Sequence, residues 1–171
     1  MTTRLHDTGT LCFDSPVGWL RVTTTAAGVR EVWFCDAGED TPGADDFRHL
    51  SSDALCVETR KQLEEYFAGK RTGFDLPLDI AGTGFQRSVW EELLRIPFGR
   101  TISYRELSLR LGNPGAIRAV GRANGQNPLP ILIPCHRVIG ADGSLTGYGG
   151  GLWRKKILLT RENCLPPELA F

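Results

Sequence analysis

Cys135 and His136 are adjacent, and together they are the pair in this chain best suited to nucleophilic chemistry. A free cysteine near its ordinary pKa of about 8.5 is only about 3% thiolate at neutral pH, so a nucleophilic role demands a nearby base or positive field. His136 and Arg137 are the nearest candidates for either. The pair follows Ile131-Leu132-Ile133, an apolar run that reads as a short strand clamped between Pro130 and Pro134, which would deliver the thiol at the end of a rigid support. Successive residues on a strand point to opposite faces, so the pair acts as a unit only if the chain turns there or a water links the two. The competing reading is a buried inert thiol, the default for any free cysteine. That default is kept for Cys12, Cys35, Cys56 and Cys164.

The elements that must hold this pair are legible as hydrophobic patterns. Downstream, 152–163 reads as a helix whose Trp153, Ile157 and Leu158 dock it behind the strand, with Glu162 near its end. Upstream, Phe85, Val89, Trp90, Leu93 and Leu94 form a helical stripe that stops before Pro97. A helix over 103–111 is closed by Gly112-Asn113-Pro114-Gly115, and another runs over 116–124, which makes a helix-turn-helix. The first half differs. Leu11-Cys12-Phe13 and 19–24 read as a hairpin, 29–35 as a third strand, and 36–46 as an acidic, mobile loop. A helix over 52–67 takes its N-cap from Ser51, Ser52 or Asp53 and stops at Gly69. The run 74–80 alternates with period two, but Pro77 has no N–H to donate, which predicts an edge strand. The boundary falls at Ala81-Gly82-Thr83-Gly84, giving an N-terminal α/β domain over 1–80 and a C-terminal domain over 83–171.

With 171 residues the chain has room for one large domain or two small ones. The net charge is zero, yet residues 1–80 hold 8 Lys/Arg against 14 Asp/Glu while 81–171 hold 12 against 6, so a polyanion should meet the second half. No apolar run is long enough for a membrane span, and the start MTTRLHDTGT lacks the apolar core of a secretory signal, which predicts a cytoplasmic protein, nucleoid-associated in a bacterium and nuclear in a eukaryote. Five cysteines without a CxxC pair argue against a disulfide framework and a zinc knuckle.

The whole segment Asn127-Pro128-Leu129-Pro130-Ile131-Leu132-Ile133-Pro134-Cys135-His136-Arg137-Val138-Ile139-Gly140 resembles the active-site signature of the O6-alkylguanine-DNA alkyltransferases. The likeness continues through Thr146-Gly147-Tyr148-Gly149-Gly150-Gly151, Ile102-Ser103-Tyr104 and Arg118-Ala119-Val120-Gly121, and covers 83–163; the first 80 residues match in layout alone. The resemblance implies a ribonuclease H-like α/β first half, then a mostly helical, winged-helix-like second half. It implies that Cys135 accepts the alkyl group of O6-alkylguanine, and of O4-alkylthymine, in a single irreversible turnover. By the same resemblance His136 is the base acting through a water, Glu162 orients its ring, Tyr104 gives a proton to guanine N3, and Asn127 braces the active-site turn. Val138, Tyr148, Gly149 and Gly150 match the substrate-binding positions; some members have serine where Gly149 stands, as a hydrogen-bond donor to O6, and the resemblance implies that backbone N–H groups donate there in this chain.

The implied partner is double-stranded DNA containing O6-alkylguanine, bound by a monomer, with cooperative assembly on DNA left open. Family members present the second helix to the minor groove, and the small residues Ala116, Ala119, Gly121 and Ala123 suit close approach there. Arg118 matches the residue that fills the stack when the damaged nucleotide leaves it, while Arg122, Arg105 and Arg110 are candidates for phosphate contacts. Some members carry zinc, but His6, Cys12, Cys35 and His49 fit no standard spacing, so neither metal nor cofactor is expected. Two other readings compete: a non-catalytic helix-turn-helix damage sensor, which the presence of Cys135 opposes, and a cysteine hydrolase, which lacks an oxyanion-hole motif.

Overall fold

The computed structural model describes residues 9–36 and 53–165. The acidic loop, Ser51, Ser52, His6 and His49 therefore lie outside the described residues, apart from Asp36 at the loop's start. The chain divides into two compact units, Met1–Ala81 and Gly82–Phe171.

In the first unit β1 (Gly9–Phe13), β2 (Trp19–Thr25) and β3 (Gly28–Cys35) form an antiparallel sheet in the order β1-β2-β3. The hairpin closes where Gly18 takes a left-handed φ of 86° and its N–H reaches Ser15 O at 2.9 Å. Period-two alternation buries Leu11, Phe13, Leu20 and Val22 on one face. Helix α1 (Ala54–Phe67) covers that face with Cys56, Thr59, Leu63 and Tyr66, and its N-cap is Asp53, which accepts from the Cys56 N–H at 2.9 Å.

The expected edge strand over 74–80 reduces to one parallel bridge, Val29↔Leu78. Val29 N–H donates to Pro77 O and Asp79 N–H to Val29 O, both at 2.8 Å, and the missing N–H of Pro77 stops the ladder. Gly28 is required at this approach, since a Cβ there would lie 2.5 Å from Pro77 O.

The second unit opens with α2 (Gly84–Leu93), fixed by a capping box in which Thr83 and Gln86 serve each other's N–H groups. Its buried stripe is Val89, Trp90 and Leu93; Phe85 and Leu94, expected on that stripe, are exposed. Trp90 Nε1 donates to Ala123 O at 2.8 Å, locking α2 to the later helix that carries Ala123. The predicted helix over 103–111 is α3 (Tyr104–Arg110), because Ser103 is its N-cap and belongs with Ile102 to a two-residue strand, β4 (Ile102–Ser103). This strand pairs in parallel with β5 (Val138–Ile139). A tight turn with Gly112 at φ 70° leads into α4 (Ile117–Gly125), completing the helix-turn-helix. The last element is α5 (Leu152–Arg161).

Two expectations around the thiol need correction. Residues 131–133 are not a strand: Pro130 and Pro134 remove donors on both sides, and the run folds into a turn with Ile133 N–H on Leu129 O at 2.8 Å. Ile131 sits there at φ 75°, a strained position for a β-branched residue. On α5, Trp153 does not dock inward but is 49% exposed; the buried face is Arg154, Lys155, Leu158 and Leu159. Among the described residues, no helix is long and apolar enough to cross a membrane.

Candidate active site

The turn over 129–133 feeds directly into a single 3-10 turn, Cys135–Arg137, which hands over to β5. Three residues per turn send the three side chains in separate directions, so the turn that a working Cys–His pair requires is present. Asn127 holds the approach: its Nδ2 donates to Ile133 O at 2.8 Å, and its Oδ1 accepts from Leu129 N–H at 2.9 Å.

The three side chains of this turn meet different environments. Cys135 is 4% exposed. Burial pushes its thiol pKa up, against the influence of Asn127, the charge of Lys155 and the nearby Tyr148. His136 is fully buried, with Nε2 at 2.8 Å from Glu162 Oε1. Burial also lowers the His136 pKa, outweighing the carboxylate, so the ring is neutral at rest. A carboxylate beside Nε2 keeps the proton on that nitrogen, which leaves Nδ1 a lone pair, and buried Nδ1 has no hydrogen-bond partner among the described residues.

Arg137 does not supply the field on the thiol that the sequence suggests. It turns instead to Glu162, with Nε at 2.8 Å from Oε2 and Nη2 at 3.0 Å from Oε1, and to Ile96 O at 2.6 Å. Glu162 is the C-cap residue of α5 yet only 1% exposed. Burial alone would raise its carboxyl, but the donors on His136 and Arg137 hold it down at about 2.

The cation that acts on the thiol is Lys155, which the sequence reading missed. Its Nζ donates to Val138 O at 2.6 Å and Thr146 O at 3.0 Å, and lies 5.7 Å over the Tyr104 ring. Burial brings its pKa down to about 8, against the pull of Cys135, so it is largely charged at neutral pH. The signal was available: 155, 158, 159 and 162 share one face of a helix, placing this lysine on the stripe that carries Leu158, Leu159 and Glu162.

Tyr104, at the start of α3, donates its hydroxyl to Thr146 O and Gly147 O at 3.0 and 3.1 Å. Burial and the nearby Cys135 raise its pKa while a hydrogen bond from Asn124 lowers it, so it holds a proton to give. Asn124 was also missed; it is buried on α4 and its Nδ2 lies 3.4 Å from Cys135 O. The segment over 146–151 closes the site. Gly147 and Gly151 have φ of 57° and 88°, and a Cβ on Gly149 would stand 3.3 Å from Gly125 O. Val138 is fully buried, and Gly150 O accepts from Arg154 Nη1 at 2.8 Å.

On α4, Arg118, Ala119 and Arg122 are exposed, and Ala116 and Gly121 are half-buried beside them. Ala123 is not on that face: it is 2% exposed and packs toward Trp90. Arg110 is held by Glu106 at 2.6 Å and Glu92 at 3.8 Å, which opposes the expected phosphate contact, whereas Arg105 is exposed. Cys12 and Cys35 lie beside each other, and among the described residues no group of three or more His, Cys, Asp or Glu is placed to hold a metal.

Residues 84–164 match the family model of the 6-O-methylguanine DNA methyltransferase DNA binding domain, and residues 10–80 match that of its ribonuclease-like domain. A methylated-DNA–protein-cysteine methyltransferase of Methanosarcina acetivorans is 43% identical over 150 residues, which is 88% of this chain and 95% of that protein. One from Mycobacterium tuberculosis is 58% identical over 106 residues, 62% of this chain, and the match spans 64% of that relative's length. The crystal structure of M. tuberculosis OGT in complex with DNA superposes with a TM-score of 0.78 at 42% identity, covering 94% of this chain and 97% of that one.

Proposed function

The chain belongs to the 6-O-methylguanine DNA methyltransferase family, and from that premise we propose that it repairs O6-alkylguanine in double-stranded DNA by moving the alkyl group irreversibly onto its own Cys135. The chemistry belongs to residues 83–171, with 1–80 as a separate α/β domain. Acting on DNA as a monomer, the protein works in the cytoplasm. The observation that carries this reading is the buried chain Cys135, His136, Glu162, in which Nε2 is taken by the carboxylate and Nδ1 is left as a proton acceptor.

The reaction is an in-line displacement. Sγ forms a bond to the alkyl carbon as the bond from that carbon to O6 breaks. The thiol proton passes through a water to His136 Nδ1, and Glu162 stabilises the imidazolium that results. The departing guanine takes a proton from Tyr104 at N3 and leaves neutral; the phenol recovers its proton from the imidazolium, so the thiol proton ends on guanine. Lys155, Asn127 and Tyr148 all favour the thiolate as it develops. The test mixes stoichiometric protein with duplex DNA carrying labelled O6-methylguanine. One equivalent of label fixed on Cys135, with no further turnover, is the expected result; label released to water would overturn the reading.

The alkylated base lies within the stacked duplex, so its nucleotide must be extruded at a cost of a few kcal/mol. Arg118 is exposed on α4 and has no ion pair among the described residues, which suits it to fill the gap. If it offsets about 1.4 to 3 kcal/mol of unstacking, Arg118→Ala slows reaction on a duplex roughly 10- to 100-fold. Free O6-benzylguanine has no stack to leave, so its rate should change little at the same salt concentration. Equal losses on both substrates would place Arg118 in support of the site itself.

A further inference from the structure

The first turn of α5 bears on the segment that closes the site. Arg154 is 3% exposed and donates Nη1 to Gly150 O at 2.8 Å. Its guanidinium carbon lies 4.5 Å from the centre of the Trp153 ring. The edge of that ring abuts Gly151, where a Cβ would stand 3.3 Å from it, and Gly151 is at φ 88°. Arg154 thus bears on Gly150 and Trp153 on Gly151, with the cation stacked on the ring to join the two. At its other end the segment is anchored through Thr146 O, which accepts from Tyr104 and Lys155. Tyr148 and Gly149 lie between these anchors, and Tyr148 is close enough to the almost wholly buried Cys135 thiol to influence its ionisation.

We propose that Arg154 and Trp153 form a brace that limits how far residues 148–150 can yield, and that they thereby set the size of O6 substituent admitted to Cys135. The inference rests on Cys135 being the alkyl acceptor. A methyl group makes a small demand on the space at Sγ. A benzyl ring requires the backbone at 148–150 to move outward, and the hydrogen bond from Arg154 to Gly150 resists that movement. Arg154 and Trp153 are positioning residues in this account, acting through the backbone of the segment.

The test compares two duplexes of one sequence, carrying O6-methylguanine or O6-benzylguanine, against the parent, Trp153→Ala, Arg154→Met and Arg154→Lys. The benzyl-to-methyl ratio of second-order rates is expected to rise roughly 3- to 10-fold in Trp153→Ala and Arg154→Met. Arg154→Lys keeps a donor for Gly150 O and should recover part of the parent ratio. DNA affinity and thiol reactivity cancel in the ratio, so general structural damage lowers both rates without moving it. A ratio within about twofold of the parent's in both variants, or a falling one, would overturn the proposal. Should buried Arg154 prove necessary for folding, the half-exposed Trp153→Ala decides alone. A parent protein that acquires no alkyl group on Cys135 from either duplex defeats the underlying reading instead, an outcome distinct from an unchanged ratio with adducts present.

Discussion

Changing Cys135 to serine is expected to abolish alkyl transfer, by at least about 10⁴-fold, while duplex binding stays within about twofold of the parent. The exchange alters one buried atom, and the hydroxyl can still face Asn127 and Tyr148, so the fold has little reason to change. The chemistry has every reason to. The thiol starts neutral because burial opposes its ionisation, and in the proposed reaction the neutral His136 accepts its proton as the new bond forms. A hydroxyl is a weaker acid and a poorer nucleophile, and among the described residues no positive group beyond Lys155 is placed to compensate. Transfer of labelled methyl from duplex DNA and fluorescence anisotropy measure the two quantities on the same preparation. Labelled methyl on Cys12 or Cys164 in the parent would sink the assignment, as would transfer by the serine variant at a hundredth of the parent rate.

The difference between what was legible beforehand and what was not follows from the range of the interactions. Capping and turn chemistry act within four residues, so Asp53, Gly18 and the break at Gly112 place α1, the hairpin and the helix-turn-helix close to their observed positions. The constellation of Cys135, His136 and Glu162 is assembled in space although 26 residues separate the last two, because α5 carries Glu162 at its buried end. Patterns that depend on tertiary partners were less readable. An apolar run between two prolines has the composition of a strand, and only the missing donors on both sides tell that it folds into a turn. Trp153 outranks Arg154 in hydrophobicity, yet Arg154 is the buried one because its guanidinium finds Gly150 O and the Trp153 face. Arg137 sits next to the pair in sequence but serves Glu162, whereas Lys155, 20 residues away, acts on the thiol. Adjacency along the chain predicts little once the backbone makes a 3-10 turn.

Glu162 is where stability and chemistry are most tightly joined, and two substitutions separate them. Glu162→Ala leaves the Arg137 guanidinium, 7% exposed, with Ile96 O and the Phe98 ring but no counter-charge among the described residues, and a buried ion stripped of its partner costs about 3 to 5 kcal/mol. The melting temperature should fall by on the order of 10 °C. Glu162→Gln keeps the shape and one acceptor oxygen, so the loss of stability is smaller. Its amide can donate to Nε2, however, which moves the imidazole proton to Nδ1 and removes the lone pair that takes the thiol proton. Transfer at neutral pH should then drop about 10²- to 10⁴-fold in a protein that still melts cooperatively. The same variant has a pH signature. The carboxyl titrates near 4.5 in the unfolded chain and at about 2 in the folded one. Its contribution is therefore complete above about pH 4.5 and drains away as the pH falls toward 2, amounting to about 3 kcal/mol. Glu162→Gln lacks that carboxyl, so its unfolding free energy should fall less steeply across this window. Parallel acid limbs for parent and variant would show that Glu162 is not held ionised by His136 and Arg137, and undiminished alkyl transfer by the glutamine variant would remove it from the proton path.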